Sequence, residues 1–212
     1  NCYSINNEIN FRALNLLLDS FKYDIVFLVE TWLIKTPSFP DKRYNYILIN
    51  SNNHNNGVAI IIKKDFRWII PFKEYNNSKI LTIKIITNNI HFFATSLYLN
   101  PNYHKWLSTY NKFKSLIQLI KDKYKQFSMI IFTDANCDLK NPDSRYEKKL
   151  YKLLIKEKFN INFNNDKFTR KRSERYIDYF ITYDIQIENI KHTKVPIGHS
   201  DHLAIKTNIN QI

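Results

Sequence analysis

Polar side chains that can act as acids, bases or metal ligands end or interrupt the most apolar segments of the sequence. They are Glu30 at the end of DIVFLVE, Asp134 and Asn136 at the end of SMIIFTDAN, Asp178 inside YIDYF, and Asp201 and His202 before LAIKTNI. A buried charge costs free energy unless it is paired, hydrogen-bonded or bound to metal. Each residue alone could be a turn residue at a strand end. Several of them together predict one site, because ligand sites lie where strand ends converge.

The segment IGHSDHLAI, residues 197–205, places an acid and an imidazole directly before a strand-like alternation of apolar and polar residues. Gly198 in this segment is one of only two glycines in the chain. Two interpretations are open at this point. The segment is either a turn capped by Ser200 and Asp201, or part of a catalytic site that contains Asp201 and His202.

The spacing of apolar residues predicts three helices, over residues 8–20, over about 103–125 and around 146–154. Segments with strand character lie between and around these helices. They are DIVFLVETWL, YNYILIN, GVAIIIK, KILTIKII, IHFFATSLYL, SMIIFTDAN, YIDYFITYD and HLAIKTNI. Strands interleaved with few helices indicate α/β or α+β layers around buried sheets. Since no repeat or linker interrupts the pattern, we expect one domain over residues 1–212.

The composition is typical of a globular chain without a membrane segment. Hydrophobic residues make up 44% and aromatic residues 15% of the 212 residues. No apolar run is long enough to span a bilayer. Cys2 and Cys137 are too few for a disulfide framework or a zinc site, which favours a reduced intracellular protein. The N-terminal segment has neither a signal peptide nor an initiator Met, so we expect a piece of a longer protein.

The net charge of +13 favours a polyanionic partner, and nucleic acid is the first candidate. An AT-rich coding sequence would inflate the lysine content, but arginine is less easily explained in that way. Three of the seven arginines lie in TRKRSERYIDYF. A guanidinium group can bind a phosphate through two parallel hydrogen bonds. This stretch is therefore either a solvated hairpin tip or one that follows a phosphate backbone.

The ordered set N, ETW, LYLNP, DAN, IDYF and SDH resembles the endonuclease/exonuclease/phosphatase superfamily. Within that superfamily it resembles the apurinic-like endonuclease domain of LINE-type (non-LTR) retrotransposons. The resemblance runs from Asn1 to about Ile209, nearly the whole chain. It implies an α/β fold, the four-layer DNase I-like sandwich of two stacked mixed sheets flanked by helices. It also implies that the chain is the N-terminal part of a retrotransposon polyprotein.

The resemblance assigns roles to the residues that match the family's motifs. Glu30 would be the main ligand of Mg²⁺, for which Mn²⁺ is a possible substitute, with Asn1 beside the metal. Asp201 would support that metal or bind a second one. Tyr98 would contact the phosphate, while Asp134 and Asn136 would orient the attacking water. Asp178 would hold the catalytic His202 in the required tautomer.

The same resemblance predicts the DNA contacts and the biological role. The stretch 165–175 would contact DNA through Thr169, Arg170, Arg172 and Arg175. The domain would nick double-stranded DNA, leaving a 5′-phosphate and a 3′-hydroxyl that primes reverse transcription by a reverse transcriptase domain in the same polyprotein. We expect it to act in the nucleus as a monomeric domain without membrane contact. Which carboxylate acts as the general base is left open.

Some positions depart from the family pattern, and two of them bear on the branch. Thr133 stands where the family often has glycine, and no second polar ligand is evident just after Asn1. Tyr98 favours the apurinic and LINE branch over phosphatase-like members, which place a histidine there. The sequence VETW, with Trp32, is similar to retroelements, whereas repair enzymes tend to have QETK. An apurinic/apyrimidinic repair endonuclease and a catalytically decayed nucleic-acid-binding module remain the alternatives.

Overall fold

The computed structural model describes residues 5, 8–21, 23–35, 41–51, 56–87, 90–163, 169–170, 175–193, 200 and 202–209. Five residues named in the sequence analysis lie outside this part of the chain: Asn1, Cys2, Arg172, Gly198 and Asp201. Nothing in the structure therefore bears on their predicted roles.

The larger of two stacked sheets has the strand order β4-β5-β6-β7-β9-β8. Strands β6 and β7 run parallel, and the other neighbouring pairs in this sheet run antiparallel, so the sheet is mixed. The strands are β4 (Arg67–Ile69), β5 (Ile80–Ile86), β6 (His91–Tyr98), β7 (Ser128–Asp134), β8 (Asn160–Asn162) and β9 (Asp178–Tyr183).

The smaller sheet is antiparallel, with the order β1-β3-β2, and consists of β1 (Ile25–Val29), β2 (Tyr44–Ile49) and β3 (Val58–Lys63). Its central strand β3 is an unbroken apolar run because both of its faces are covered. Ile60 and Ile62 point into the core between the two sheets, whereas Ala59 and Ile61 point towards the first helix. A separate hairpin pairs β10 (Ile187–Thr193) with β11 (Ala204–Ile209).

Helices cover the outer faces of both sheets, which completes four layers. Leu14 and Leu18 of α1 (Glu8–Phe21) pack on the smaller sheet. Helices α2 (Tyr103–Lys123) and α3 (Arg145–Lys156) pack on the larger sheet, where Trp106 and Phe113 are fully enclosed. A short 3₁₀ turn spans Lys73–Tyr75. Within the ranges that the structure describes, no helix is both long and apolar enough to cross a bilayer.

Three strands were not predicted from the sequence. β4 and β8 have three residues each and lie at the two edges of the larger sheet, so they carry little periodic signal. β10 contains a register irregularity between Glu188 and Lys191, and Asn189 has a φ of 54°. A bulge of this kind breaks the alternation that identifies a strand. All three predicted helices are present, with ends within two residues of the predicted limits where limits were set.

Candidate active site

The larger sheet places three of the predicted site residues side by side. Tyr98 is paired in register with Asp134 across β6 and β7, and Asp134 is paired with Asp178 across β7 and β9. Residues paired in register project from the same face of a sheet. That face looks towards the smaller sheet, since Phe132 and Phe180, two residues further along on the same face, lie 6.3 and 6.0 Å from the ring of Phe27.

His202 and Asp178 form a buried pair. The Nδ1–H group of His202 donates to Asp178 Oδ2 at 2.8 Å, and the two side chains are only 6% and 1% exposed. Burial would by itself lower the pKa of His202, but the adjacent Asp178 carboxylate raises it overall. Burial would likewise raise the pKa of Asp178, yet the charge and hydrogen bond of His202 lower it. The arrangement therefore favours an imidazolium paired with a carboxylate.

Asp134 lies at the centre of the row. Burial, followed by the negative charge of Asp178, raises the pKa of Asp134 to about 7. Its Oδ1 accepts a hydrogen bond from the backbone N–H of Asn136 at 3.1 Å. A buried carboxyl group whose pKa lies near neutrality can change its protonation state during a reaction cycle, which suits it to accept a proton.

Glu30 reaches the same place from the smaller sheet. It follows β1 directly, and the Tyr98 hydroxyl hydrogen-bonds to its carboxylate. Burial, the charge of Glu30 and this hydrogen bond together raise the pKa of Tyr98 far above its usual range. The negative charge of Glu30 also contributes to the raised pKa of Asp134. Glu30 thus lies across the cleft from the row of Tyr98, Asp134 and Asp178.

Asn136 turns back over the end of the strands. Its φ of 49° is in the left-handed region, which asparagine tolerates better than most residues. The side-chain amide donates to the Leu99 carbonyl at 3.0 Å, and the Leu99 N–H donates to the Asp134 carbonyl at 2.9 Å. These bonds join the loops that follow β6 and β7, so the amide group is held beside Asp134.

Gly57 positions the turn that carries Glu30, and the sequence interpretation did not identify it. Glu30 and Trp32 have φ values of 54° and 53°, and the Thr31 N–H donates to the Gly57 carbonyl at 3.2 Å. Gly57 itself has a φ of 108°, and a Cβ atom at this position would lie 2.3 Å from Thr31 Oγ1. Only glycine fits such an approach. The sequence feature that could have identified Gly57 is the scarcity of glycine, since the chain has only two.

We expect Gly57→Ala to destabilise the protein by more than about 1 kcal/mol, because the new methyl group meets Thr31 and the backbone is in a region that alanine disfavours. The free energy of unfolding in urea measures the effect. Combining Gly57→Ala with Thr31→Ala should restore part of the loss, since the closest contact is removed. Wild-type stability in the single variant would show that Gly57 does not constrain this turn.

Thr169 was predicted to contact DNA, but the structure places it inside the protein. Its side chain is 1% exposed, and its Oγ1 accepts hydrogen bonds from the N–H groups of Ile177 at 2.9 Å and Asp178 at 3.1 Å. The Thr169 carbonyl accepts from the Leu203 N–H at 2.7 Å. Thr169 therefore connects the start of β9 to the residue that follows His202, while its contact with DNA stays a prediction.

The two described arginines of this stretch have different surroundings. Arg170 forms isolated bridges with both Arg175 and His202, and its positive charge acts on Tyr98, which places Arg170 at the rim of the site. The guanidinium group of Arg175 instead contacts the buried carboxylate of Glu147. This ion pair gives Arg175 a structural role, while its contact with DNA stays a prediction.

Glu147 anchors the start of α3 to this stretch. The helix begins with a capping box in which Ser144 and Glu147 bond to each other's backbone N–H groups. Burial would raise the pKa of Glu147, but hydrogen bonds from the backbone N–H groups of Ser144 and Asp138 outweigh it and lower the pKa to about 2. Glu147 is thus ionised at neutral pH, and its charge is directed at Arg175.

The arrangement of oxygen atoms fits a divalent metal ion. The potential ligand atoms of Asp134, Asp178 and His202 lie within 4.8 Å of one another, and Glu30 adds a further carboxylate nearby. Asp178 Oδ1 is buried and has no hydrogen-bond partner among the described residues. Closely spaced carboxylate oxygens are the ligands that Mg²⁺ and Mn²⁺ prefer. Since His202 Nδ1 is engaged by Asp178, the carboxylates are the better candidate ligands.

Several solved structures have folds similar to that of this chain. The endonuclease domain of TRAS1, a telomere-specific non-LTR retrotransposon, has a TM-score of 0.74 at 15% identity, over 98% of this chain and 96% of that domain. TDP2 from Caenorhabditis elegans has a TM-score of 0.67 at 13% identity, over 94% of this chain and 68% of that one. The human Nocturnin catalytic domain has a TM-score of 0.64 at 12% identity, over 99% and 91% of the two chains.

Comparison of the sequence with known proteins says less about the chain than the comparison with solved structures. The chain is 24% identical over 172 residues to subunit beta'' of the DNA-directed RNA polymerase of Bigelowiella natans, a match that spans 78% of this chain but only 10% of that subunit. No protein-family model matches. This chain nevertheless has the DNase I-like fold that its sequence resemblance implied.

Proposed function

We propose that the chain is a divalent-metal-dependent DNA endonuclease that hydrolyses a phosphodiester bond and leaves a 3′-hydroxyl and a 5′-phosphate. The observation that carries the proposal is that side chains from the two sheets and from the segment before β11 converge on one cleft: Glu30, Tyr98, Asp134, Asp178 and His202. The fold shared with the TRAS1 endonuclease domain and TDP2, together with the net charge of +13, supports a nucleic-acid substrate.

Each residue then has a chemical task. Glu30 and the neighbouring carboxylates would hold a metal ion, which would neutralise negative charge on the phosphate and on the leaving oxygen. Asp134, in its ionised form, accepts a proton from the attacking water. His202, kept protonated by Asp178, donates a hydrogen bond to a phosphate oxygen as negative charge grows there. The Tyr98 hydroxyl and the Asn136 amide hold the phosphate and the water in position.

The biological setting belongs to the same proposal. The order of motifs from ETW to SDH and the shared fold with the TRAS1 domain favour a role in non-LTR retrotransposition. In that role the 3′-hydroxyl at the nick primes reverse transcription by a reverse transcriptase domain of the same polyprotein, in the nucleus. The domain itself is proposed to act as a monomer on double-stranded DNA.

We expect the purified chain with Mg²⁺ or Mn²⁺ to convert supercoiled plasmid to open circles, because one cleaved phosphodiester relaxes the plasmid. EDTA should stop the reaction. DNA ligase should reseal the nicks, since ligation requires a 3′-hydroxyl beside a 5′-phosphate. Nicks that ligase cannot seal until the 3′-phosphate has been removed and the 5′-hydroxyl has been phosphorylated would contradict the proposed products. Mapping the nicks on the plasmid would define the target preference.

Two further measurements separate the alternatives. A strong preference for a duplex containing an abasic site over an intact duplex would indicate a repair endonuclease instead. DNA binding that weakens steeply with salt, with no cleavage under any metal, would indicate a nucleic-acid-binding module without catalysis. Cleavage of the intact duplex at the same rate as the duplex with an abasic site would support the retrotransposon-type endonuclease.

A further inference from the structure

A basic groove lies between the N-terminal ends of α2 and α3. It has a volume of about 520 Å³ and is lined by Tyr103, Arg145, Tyr146, Lys148, Lys149 and Lys152, together with the carboxylate of Asp143. Four of these groups are cations and one is an anion. Because Glu147 on the same helix is buried and paired with Arg175, it does not neutralise the lysines. The groove therefore has an excess of positive charge.

Aromatic rings form one wall of the groove. Tyr103 is 41% exposed, and its ring lies 6.5 Å from that of the partly buried Tyr146. Tyr146 in turn rests against Trp106 at 5.6 Å, and Trp106 stacks on Tyr110 at 4.9 Å. This packing holds Tyr146 in place, so that its ring offers surface to a ligand with little loss of conformational freedom, and the exposed ring of Tyr103 lies beside it.

The groove is at the same end of the molecule as the candidate active site. Tyr103 begins α2 five residues after Tyr98, and Arg145 begins α3 after the loop that follows Asp134. Leu99 and Asn136 connect these two loops through the bond from Asn136 Nδ2 to the Leu99 carbonyl. A strand of nucleic acid that crosses the cleft can thus continue over the ends of these loops into the groove.

We propose that this groove binds a single-stranded segment of the nucleic-acid substrate next to the cleaved bond, with a base stacked on Tyr103 and phosphates contacted by Lys148 and Lys152. The proposal deepens the proposed endonuclease function and rests on it for its biological meaning. Lysines alone would be sufficient to bind the backbone phosphates of a duplex. Half-exposed rings between the lysines favour unpaired bases, whose faces are free to stack.

The test is the binding of a fluorescent oligothymidylate of about 12 nucleotides, measured by anisotropy in EDTA so that nothing is cleaved. Tyr103→Ala should weaken binding by roughly 5- to 100-fold, the range for losing one stacked base. Lys148→Ala combined with Lys152→Ala should weaken binding and lower the slope of log K against log salt by about 1.4 units, since each phosphate contact to a single strand contributes about 0.7.

The matched control is Lys114→Ala combined with Lys125→Ala, which removes the same charge from exposed lysines elsewhere on the chain. Equal weakening by both lysine pairs would overturn the proposal, because it would show that only net charge matters. Unchanged binding in Tyr103→Ala would also overturn it. If wild type binds the oligonucleotide through the groove but does not nick plasmid, the endonuclease proposal fails while the groove assignment stands.

Discussion

Replacing Asp134 by asparagine is expected to lower the nicking rate by about 10³-fold or more while making the protein more resistant to unfolding at alkaline pH. The loss of activity follows because asparagine cannot accept the proton of the attacking water. The gain in stability follows because the Asp134 carboxylate is buried beside Asp178 and Glu30, and the amide removes that repulsion.

The raised pKa of Asp134 determines how the stability of the folded protein changes with pH. The pKa of Asp134 is raised from an ordinary value near 4 to about 7, so the folded protein binds more protons than the unfolded chain between these limits. Its contribution to stability is therefore present below about pH 4 and is lost as pH rises through about 7. The variant should be the more stable protein at about pH 8, and the difference should shrink at about pH 5.

Thermal unfolding of both proteins in EDTA measures this difference without interference from a metal. Asp65→Asn is the matched control, since Asp65 is exposed and follows β3 at the end of the smaller sheet opposite to Glu30, so the change should affect neither stability nor nicking. In wild type with Mg²⁺, kcat/KM should rise with pH as Asp134 ionises, at or below the metal-free pKa of about 7, because a bound cation favours the carboxylate. If the Asp134→Asn variant nicks DNA at a rate within tenfold of wild type, Asp134 is not the group that accepts the proton.

Removing either member of the His202–Asp178 pair is expected to lower the nicking rate by about 10³- to 10⁴-fold, and removing both should cost little more. The two residues act as a unit, because the 2.8 Å hydrogen bond keeps the imidazole oriented and protonated. His202→Ala, Asp178→Ala and the double variant are compared by plasmid nicking. Singles whose losses multiply in the double variant would show that they act independently.

Asp178→Asn separates charge from shape in the same pair. Because the carboxylate raises the pKa of His202, its neutral substitute should let His202 lose its proton at a lower pH. The alkaline limb of the pH–rate profile should then move to lower pH, and NMR titration of the imidazole should show the same shift. His91→Ala serves as the control, since His91 is exposed at the opposite end of β6. An unchanged His202 titration would contradict the pairing.

The sequence by itself was sufficient for the three helices, for eight of the eleven strands in the described part of the chain and for most of the candidate site. Helical spacing predicted α1, α2 and α3, and apolar runs predicted the long strands, because side-chain periodicity reflects which face of an element is buried. Glu30, Asp134, Asp178 and His202 were recognisable because charged groups ending apolar strands are costly unless they share a site. These are local signals that neighbouring residues carry.

Tertiary structure alone decided what depends on pairing between distant segments. The register of β6, β7 and β9 puts Tyr98, Asp134 and Asp178 in one row, and no local pattern specifies that register. It also showed that Thr169 is buried behind Asp178, that Arg175 is directed to Glu147, and that Gly57 holds the turn of Glu30. Each of these contacts joins residues far apart in the chain, and the free energy that selects it arises only when the sheets and helices pack together.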